Sequence, residues 1–214
     1  MAPSKRLNRY LSVGSGVLWT LVYLLIIKEG FQDRTFGMPL AALCANISWE
    51  FIFSFIHPHP APQRYVNITW CLFDSVILFQ FLRFGKASFG QYLPETLFYP
   101  TLVLTLMVAF GAVLFVTYEF KDWYGRYAAF GQNLMMSVLF VDMLLRRGDV
   151  SGQSMYIALF KMAGSLLASI LFFRRNRSSY LLNFLYVAIL AFDVIYVLML
   201  YAKHLGLGVN PWAF

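Results

Sequence analysis

Seven long apolar runs constrain the fold of this chain more than any other feature of its sequence. The runs cover residues 11–27, 37–56, 66–82, 97–118, 124–145, 153–173 and 180–202. A bilayer has a hydrocarbon core about 30 Å thick, which about 20 apolar residues in a helix can cross. The connections between runs are short, so neighbouring helices should be antiparallel. The sequence therefore predicts an all-α bundle of seven transmembrane helices, formed as a single membrane domain over residues 1–214.

Composition and the placement of charge exclude several other classes of protein. Hydrophobic residues make up 60% of the chain and charged residues only 13%, whereas about 25% of the residues in an average soluble domain are charged. This excludes a water-soluble enzyme. The net charge is +7, but the basic residues gather at the ends of apolar runs, which favours lipid headgroups over nucleic acid. Cys44 and Cys71 both lie in apolar runs and provide no disulfide framework.

Three acidic residues, Glu50, Asp74 and Asp193, lie deep within the apolar runs. A carboxylate in hydrocarbon is costly unless it is paired or neutral, so such residues are functional candidates. Their distances along the helices, at about 1.5 Å per residue, place them at comparable depth. We therefore predict one shared polar cavity, with Glu119 at its mouth. Burial and mutual repulsion oppose ionisation, so at least one of these acids should be protonated near neutral pH.

Two other charged residues within the runs have simpler interpretations. Asp142 precedes Arg146 by four residues, which is the spacing of a surface ion pair on a helix. Lys161 is the one basic residue well inside a run. Its stem can lie along lipid while its amine reaches the headgroups. Alternatively it pairs with one of the deep acids, which would remove that acid as a proton donor.

Each deep acid has aromatic or amide neighbours on its own helix face. They are Asn46, Trp49 and Phe53 for Glu50, Trp70 for Asp74, and Tyr186 and Tyr196 for Asp193. An acid in a dry, aromatic-lined pocket can protonate an olefin or an epoxide, and each ring face stabilises a cation by about 0.5–2 kcal/mol. A second carboxylate can steady the cation or accept the final proton. These features indicate a lipophilic prenylated substrate that enters from the bilayer.

The segment Asn46-Ile47-Ser48-Trp49-Glu50 resembles the N-x-x-W-E signature of the integral-membrane terpene cyclases. Those enzymes act in fungal meroterpenoid and indole-diterpene pathways and have small bacterial relatives in indole-sesquiterpenoid pathways. The helices that carry Asp74 and Asp193 are similar to the next acidic helix and the C-terminal acidic helix of that family. The resemblance implies a cyclase that needs no metal and no cofactor. It also implies that Glu50 is the proton donor and Asp193 its activating or cation-stabilising partner, or the reverse.

The resemblance also implies a substrate class. The chain is shorter than typical fungal members, which favours a bacterial, drimentine-type member that acts on the terminal olefin of a farnesylated indole. The bacterial cytoplasmic membrane is then expected, or the endoplasmic reticulum for a eukaryotic source. A carboxylic acid is a weak donor toward an unactivated olefin, so the chemistry itself favours an epoxide, and both substrates stay open.

Other motifs argue against neighbouring functions. The chain has no D-D-x-x-D, N-D-x-x-D or D-x-D-D motif, which disfavours magnesium-dependent cyclases and soluble protonation-initiated ones. His57 and His59 lie two residues apart in a proline-rich loop without an adjacent Cys or acid, so we predict no metal site. The alternative function is a proton-coupled small-molecule transporter that uses the same buried acids. A retinal protein is disfavoured, because the deep lysine is in the sixth run and not in the last.

Overall fold

Helices account for the whole architecture, and the part of the chain that the structure describes contains no strand. The computed structural model describes residues 3–91 and 93–213. The helices are α1 (Pro3–Gln32), α2 (Leu40–Phe51), α3 (Gln63–Gly90), α4 (Phe98–Glu119), α5 (Arg126–Arg147), α6 (Met155–Arg175) and α7 (Tyr180–Gly206). A π-helical turn, Ile52–Ile56, extends α2, and a 3₁₀ turn, Glu95–Leu97, precedes α4. The all-α prediction is confirmed.

The helices differ in whether their length suffices to cross a membrane. Six are long and apolar enough by length and composition, namely α1 from Lys5 onward, α3, α4 together with its 3₁₀ turn, and α5 to α7. The remaining one, α2 with its π-helical turn, covers Leu40–Ile56 and is shorter. The number of helices therefore agrees with the seven apolar runs, whereas the length criterion is met by six of them.

Several helices are longer than the predicted membrane spans. α1 begins at Pro3 and not at residue 11, α3 extends to Gly90 and not to residue 82, and α7 extends to Gly206 and not to residue 202. The apolar runs mark only the part of each helix that suits hydrocarbon. The backbone hydrogen bonds of a helix do not depend on apolar side chains, so the helix continues into the polar residues at its ends.

Local capping explains where two of the helices begin and where α5 ends. The side chain of Ser154 accepts a hydrogen bond from the amide of Ile157, and that of Ser179 accepts one from the amide of Leu182. These serines satisfy amides that a helix N-terminus leaves unpaired. Gly148 follows α5 with φ of +71°, a conformation that glycine adopts without steric cost.

Six of the helices form a closed ring, and α4 packs on its outside. Around the ring each helix packs on the next in the order α1, α3, α2, α5, α7, α6 and back to α1. α4 packs chiefly on α2, with smaller contacts to α5 and α3. Residues on the inner faces of six helices can therefore meet away from lipid.

Contacts between the connections agree with the predicted antiparallel arrangement. At one end, the amide of Gly152, between α5 and α6, donates to Asp33, between α1 and α2, at 2.7 Å. At the other end, Arg126 at the start of α5 donates to Asn176, after α6, at 2.6 Å. The predicted surface ion pair is also confirmed, because Arg146 lies 2.8 Å from Asp142 with both side chains exposed.

Gly125 allows a close approach of α2 to the connection before α5. It has φ of +60°, and its carbonyl oxygen accepts a hydrogen bond from Trp49 Nε1 at 2.9 Å. An added Cβ would overlap the Phe53 ring and lie 2.6 Å from Trp49 Nε1. We predict that Gly125→Ala lowers the free energy of unfolding by about 1–3 kcal/mol, measured by thermal unfolding in detergent.

The matched control is Gly131→Ala on α5, where an added Cβ meets nothing within 4 Å. Alanine in an open helical position should leave the free energy of unfolding unchanged or raise it by about 0.4–1 kcal/mol. If the free energy of unfolding changed equally in the two variants, the close approach at Gly125 would not contribute to stability.

Candidate active site

Two acids meet at one tyrosine hydroxyl inside the ring. The hydroxyl of Tyr23, on α1, donates to Glu50 Oε1 of α2 at 2.7 Å and lies 3.4 Å from Asp74 Oδ2 of α3. Asn46 Nδ2 donates to the same hydroxyl at 3.0 Å. The exposed fraction is 2% for Tyr23 and Glu50 and 0% for Asp74. We call these four residues the acid cluster.

Helix spacing and ring packing hold the acid cluster in place. Asn46 and Glu50 are one helical turn apart on α2, so both face α1. Gln132 of α5 donates to Asn46 Oδ1 at 3.2 Å, which extends the hydrogen bonds to a fourth helix. The rings of Trp70 and Phe73, on α3, each lie 6.0 Å from the Tyr23 ring. Apolar contacts thus position the phenol whose hydroxyl joins the two acids.

The two carboxyl groups of the acid cluster have no cationic partner. The salt bridges among the described residues do not include Glu50 or Asp74. Within the same residues, Glu50 Oε2 and Asp74 Oδ1 are buried and accept or donate no hydrogen bond. Two adjacent buried carboxylates without a cation repel each other and lose their hydration. Burial and mutual repulsion therefore oppose the ionisation of both carboxyl groups at once.

Asp193 belongs to a second polar group, built around a buried ion pair. Lys161 Nζ, on α6, lies 2.5 Å from Asp193 Oδ1 of α7 and donates to Ser137 Oγ of α5 at 2.7 Å. The exposed fractions of Lys161 and Asp193 are 1% and 2%. The interpretation in which the Lys161 amine reaches the headgroups is therefore wrong. The alternative, pairing with a deep acid, is confirmed, because the amine lies inside the ring and only a carboxylate there can offset its charge.

The three deep acids are thus divided between two hydrogen-bonded groups. The structure brings Glu50 and Asp74 together and places Asp193 apart from their shared hydroxyl. α5 contributes to both groups, through Gln132 and through Ser137 five residues later. Glu119, expected at the mouth of one cavity, is exposed at the end of α4, which lies outside the ring.

The aromatic residues that flank Glu50 in sequence pack on the loops that contain His59 and Gly125, and not on the Glu50 carboxyl. Trp49 and Phe53 pack on each other with ring centroids 4.9 Å apart. Both also contact His59, whose ring stacks on Phe53 at 4.9 Å. The Trp49 indole is engaged with the Gly125 carbonyl. Of the residues predicted to surround the acids, Asn46 and Trp70 are the ones that contact the acid cluster.

The two tyrosines that flank Asp193 point to different surroundings. Tyr196 packs on Phe140 with centroids 5.3 Å apart, and its hydroxyl donates to Gln153 Oε1 at 3.0 Å. Tyr186 packs edge-on against Phe130 at 4.7 Å, in a separate apolar cluster. Helical spacing placed both on the face of Asp193, but the neighbouring helices determine what each ring contacts.

Each loop histidine has a hydrogen-bond contact with a neighbouring side chain. His59 Nδ1 lies 3.1 Å from Asn67 Nδ2, and His57 Nε2 lies 3.3 Å from the Tyr118 hydroxyl. Burial lowers the pKa of the His59 imidazole, so it is neutral at pH 7. Among the described residues no three His, Cys, Asp or Glu side chains are close enough to hold a metal ion together.

Two residues of the site, Tyr23 and Gln132, escaped the sequence analysis. Tyr23 lies in the first apolar run, which carries no deep charge, and a tyrosine there looks like any of the chain's 13 tyrosines. Gln132 is neutral and belongs to the fifth run. Only the closure of the helix ring brings the Tyr23 hydroxyl to the two acids and the Gln132 amide to Asn46.

A comparison with known protein families shows which family this chain belongs to. The family described as Pyr4-like transmembrane terpene cyclases matches residues 2–204. This chain belongs to that family. The resemblance inferred from the N-x-x-W-E segment is confirmed, and with it an enzyme family of membrane-bound terpene cyclases. The transporter alternative is not favoured.

Several curated relatives are terpene cyclases from fungi. Pyr4-family terpene cyclase mfmH of Annulohypoxylon moriforme is 32% identical over 166 residues, which cover 76% of this chain and 68% of the relative. Terpene cyclase macJ of Penicillium terrestre is 30% identical over 166 residues, 75% of this chain and 64% of the relative. Terpene cyclase pyr4 of Aspergillus fumigatus is 34% identical over 74 residues, 34% of this chain and 31% of the relative.

The matched part of this chain therefore spans about two thirds of mfmH and macJ and less of pyr4. No solved structure matches the chain. The bacterial source favoured by the sequence analysis stays a prediction.

The buried ion pair gives a direct test of the second polar group. We predict that Lys161→Met lowers the free energy of unfolding by about 3–5 kcal/mol, because Asp193 is left as a buried carboxylate without a counter-ion. The measurement is thermal unfolding in detergent. Lys86→Met is the control, since Lys86 lies 3.2 Å from Glu95 with both side chains exposed, and such pairs contribute about 0–1 kcal/mol.

The double variant Lys161→Met, Asp193→Leu should recover most of the lost stability, because it removes both charges together. A Lys161→Met protein as stable as the Lys86→Met control would show that the ion pair does not hold α6 to α7.

Proposed function

We propose that this chain cyclises a lipophilic prenylated substrate within the membrane and that Glu50 begins the reaction by donating a proton. The observation that carries the proposal is the arrangement of the Glu50 carboxyl. Tyr23 binds one of its oxygens, and among the described residues the other, Oε2, has no partner. A proton donor needs such a free oxygen in a dry environment, where nearby groups can stabilise the developing cation. Membership of the terpene cyclase family supports ring closure as the class of reaction.

The reaction begins when a carbon–hydrogen bond forms as the oxygen–hydrogen bond of Glu50 breaks. A terminal olefin then becomes a tertiary cation, whereas a terminal epoxide is protonated on oxygen and opens. The next double bond of the prenyl chain attacks the cationic carbon and closes a ring. Proton loss from the last cation ends the cascade, so the olefin reaction is an isomerisation.

We assign Asp193 to stabilisation of the carbocation or to acceptance of the final proton. Lys161 lies 2.5 Å from its Oδ1, so Asp193 is held in a buried ion pair, whereas no such pair includes Glu50 among the described residues. Asp193 Oδ2 is buried and unpartnered among the described residues, so it is free to face a cation. The sequence left the roles of Glu50 and Asp193 exchangeable, and the position of Lys161 supports the assignment made in this proposal.

Aromatic side chains inside the helix bundle would stabilise the cation during the cascade. Trp70 is the best placed, because it packs against Tyr23 beside the acids. A ring face in a dry site contributes about 0.5–2 kcal/mol to the stability of a nearby cation. The other aromatic residues predicted to flank the acids make no contact with the acid cluster. In this proposal they shape and close the interior, and they are Trp49, Phe53, Tyr186 and Tyr196.

The proposed substrate is a farnesyl chain carried on an indole-type acceptor, with either a terminal olefin or its epoxide. The proposed reaction needs no metal, since the chain lacks the aspartate-rich motif that holds magnesium on a diphosphate. The partners are the lipophilic substrate and the bilayer, and nucleic acid has no role.

We also propose that α2 crosses the membrane with the other six helices. Leu40–Ile56 contains 17 residues, which span about 25 Å at about 1.5 Å per residue. Small mismatches of this kind are accommodated by local thinning of the bilayer. The antiparallel order of α1, α2 and α3 requires this crossing.

The test is an assay in heavy water with membranes that contain the protein. A farnesylated indole and its terminal epoxide are supplied separately, and products are separated and weighed by mass spectrometry. The olefin product should carry one non-exchangeable deuterium. Glu50→Gln should reduce the rate by about 100- to 10,000-fold, which is the usual contribution of a general acid.

The control is Asp142→Asn, because Asp142 is an exposed acid paired with Arg146. It should leave the rate unchanged. Product formation by Glu50→Gln at the wild-type rate would contradict the assignment of the donor. Conversion of neither substrate by folded wild-type protein would contradict the proposed acceptor.

A further inference from the structure

We propose that Tyr23 relays a proton from Asp74 to Glu50 during the cyclisation, an inference that rests on the function proposed above. Tyr23 carries no charge, and its sequence neighbours give no indication of a role. Its hydroxyl nevertheless lies within hydrogen-bond reach of two buried acids from two other helices, and an amide holds it in place. A relay requires this arrangement: one group that can accept and donate a proton between two carboxyl groups.

The hydrogen-bond capacity of the hydroxyl gives the relay a direction. A phenol has one proton to donate, and the shorter distance, 2.7 Å, assigns that proton to Glu50 Oε1. The amide of Asn46 is oriented because its Oδ1 accepts from Gln132, so its Nδ2 donates to the Tyr23 oxygen. The remaining contact, 3.4 Å to Asp74 Oδ2, is then satisfied when a protonated Asp74 donates to the same oxygen.

The proton transfers balance without any further reactant. Glu50 gives its Oε2 proton to the substrate. In the same step the Tyr23 proton moves to Glu50 Oε1, and the Asp74 proton moves to the Tyr23 oxygen. Tyr23 is unchanged, Glu50 is neutral again, and the negative charge lies on Asp74. One proton is consumed in the first step and one is released in the last, and the cycle closes when Asp74 regains a proton before the next turnover.

The relay solves a chemical difficulty of the proposed reaction. A carboxylate left next to a new carbocation can take the proton back or attack the cationic carbon. Transfer through Tyr23 removes the charge from Glu50 and places it behind the phenol, on a different helix. The cation then persists long enough for the next double bond to attack it.

A purely structural role needs only the ring of Tyr23, which packs against Trp70 and Phe73. Tyr23→Phe keeps that ring and removes the hydroxyl, and Asp74→Asn keeps the shape of the acid but removes its proton. We expect each variant to lower kcat about 10- to 100-fold, while KM changes by about twofold at most. Because both variants interrupt one relay, the double variant should be no slower than the slower single variant.

Rates in mixtures of light and heavy water provide a readout that packing would not change. For wild type, a plot of rate against the deuterium fraction of the water should be curved, since several protons move together. For Tyr23→Phe and for Asp74→Asn the dependence should be linear, since only the Glu50 proton moves. Ser15→Ala is the matched control, because it removes another buried hydroxyl hydrogen bond from α1, to Gly164, away from the acids. It should keep the wild-type rate and the curve.

Wild-type kcat in Tyr23→Phe, or losses that multiply in the double variant, would overturn the relay. If Tyr23→Phe does not fold, as judged by thermal unfolding in detergent, Asp74→Asn alone decides through the shape of its deuterium dependence. Failure of the relay is distinguishable from failure of the proposed function. If Glu50→Gln is inactive and Tyr23→Phe behaves like wild type, only the relay is rejected. If Glu50→Gln is active, the proposed function is rejected.

Discussion

The acids inside the helix ring are buried away from bulk solvent, and the rest of the structure follows from this constraint. Each buried acid must obtain its partners from other helices. The Tyr23 hydroxyl joins α1, α2 and α3, and the Lys161 amine joins α5, α6 and α7. Every helix of the ring thus contributes a polar group to the interior. α4 contributes none, since the hydroxyls of Thr105 and Thr117 bond to carbonyls of their own helix, and α4 lies outside the ring.

The same constraint gives the acids different chemical characters. Asp193 has the Lys161 amine at 2.5 Å. Glu50 and Asp74 instead share the neutral hydroxyl of Tyr23 and have no cationic partner among the described residues. The surroundings of the acids therefore differ, because a single lysine lies beside one of them and not beside the others.

The N-x-x-W-E segment combines chemistry and positioning in one helix. Asn46 and Glu50 face α1 and take part in the acid cluster. Trp49 donates to the carbonyl of Gly125, where only a residue without a side chain permits the approach. The tryptophan thereby links α2 to the connection before α5.

The sequence by itself determined the helical membrane architecture, the three deep acids and the family. An apolar run of about 20 residues crosses a bilayer as a helix, and an acidic residue within such a run is rare. Only the tertiary structure decided that Tyr23 and Gln132 join the site, that Asp193 pairs with Lys161, and that Trp49 supports a loop. Helical periodicity shows which residues share a face of one helix. The order of helices around the ring sets which faces meet, and that order depends on the packing of many side chains that no single helix contains.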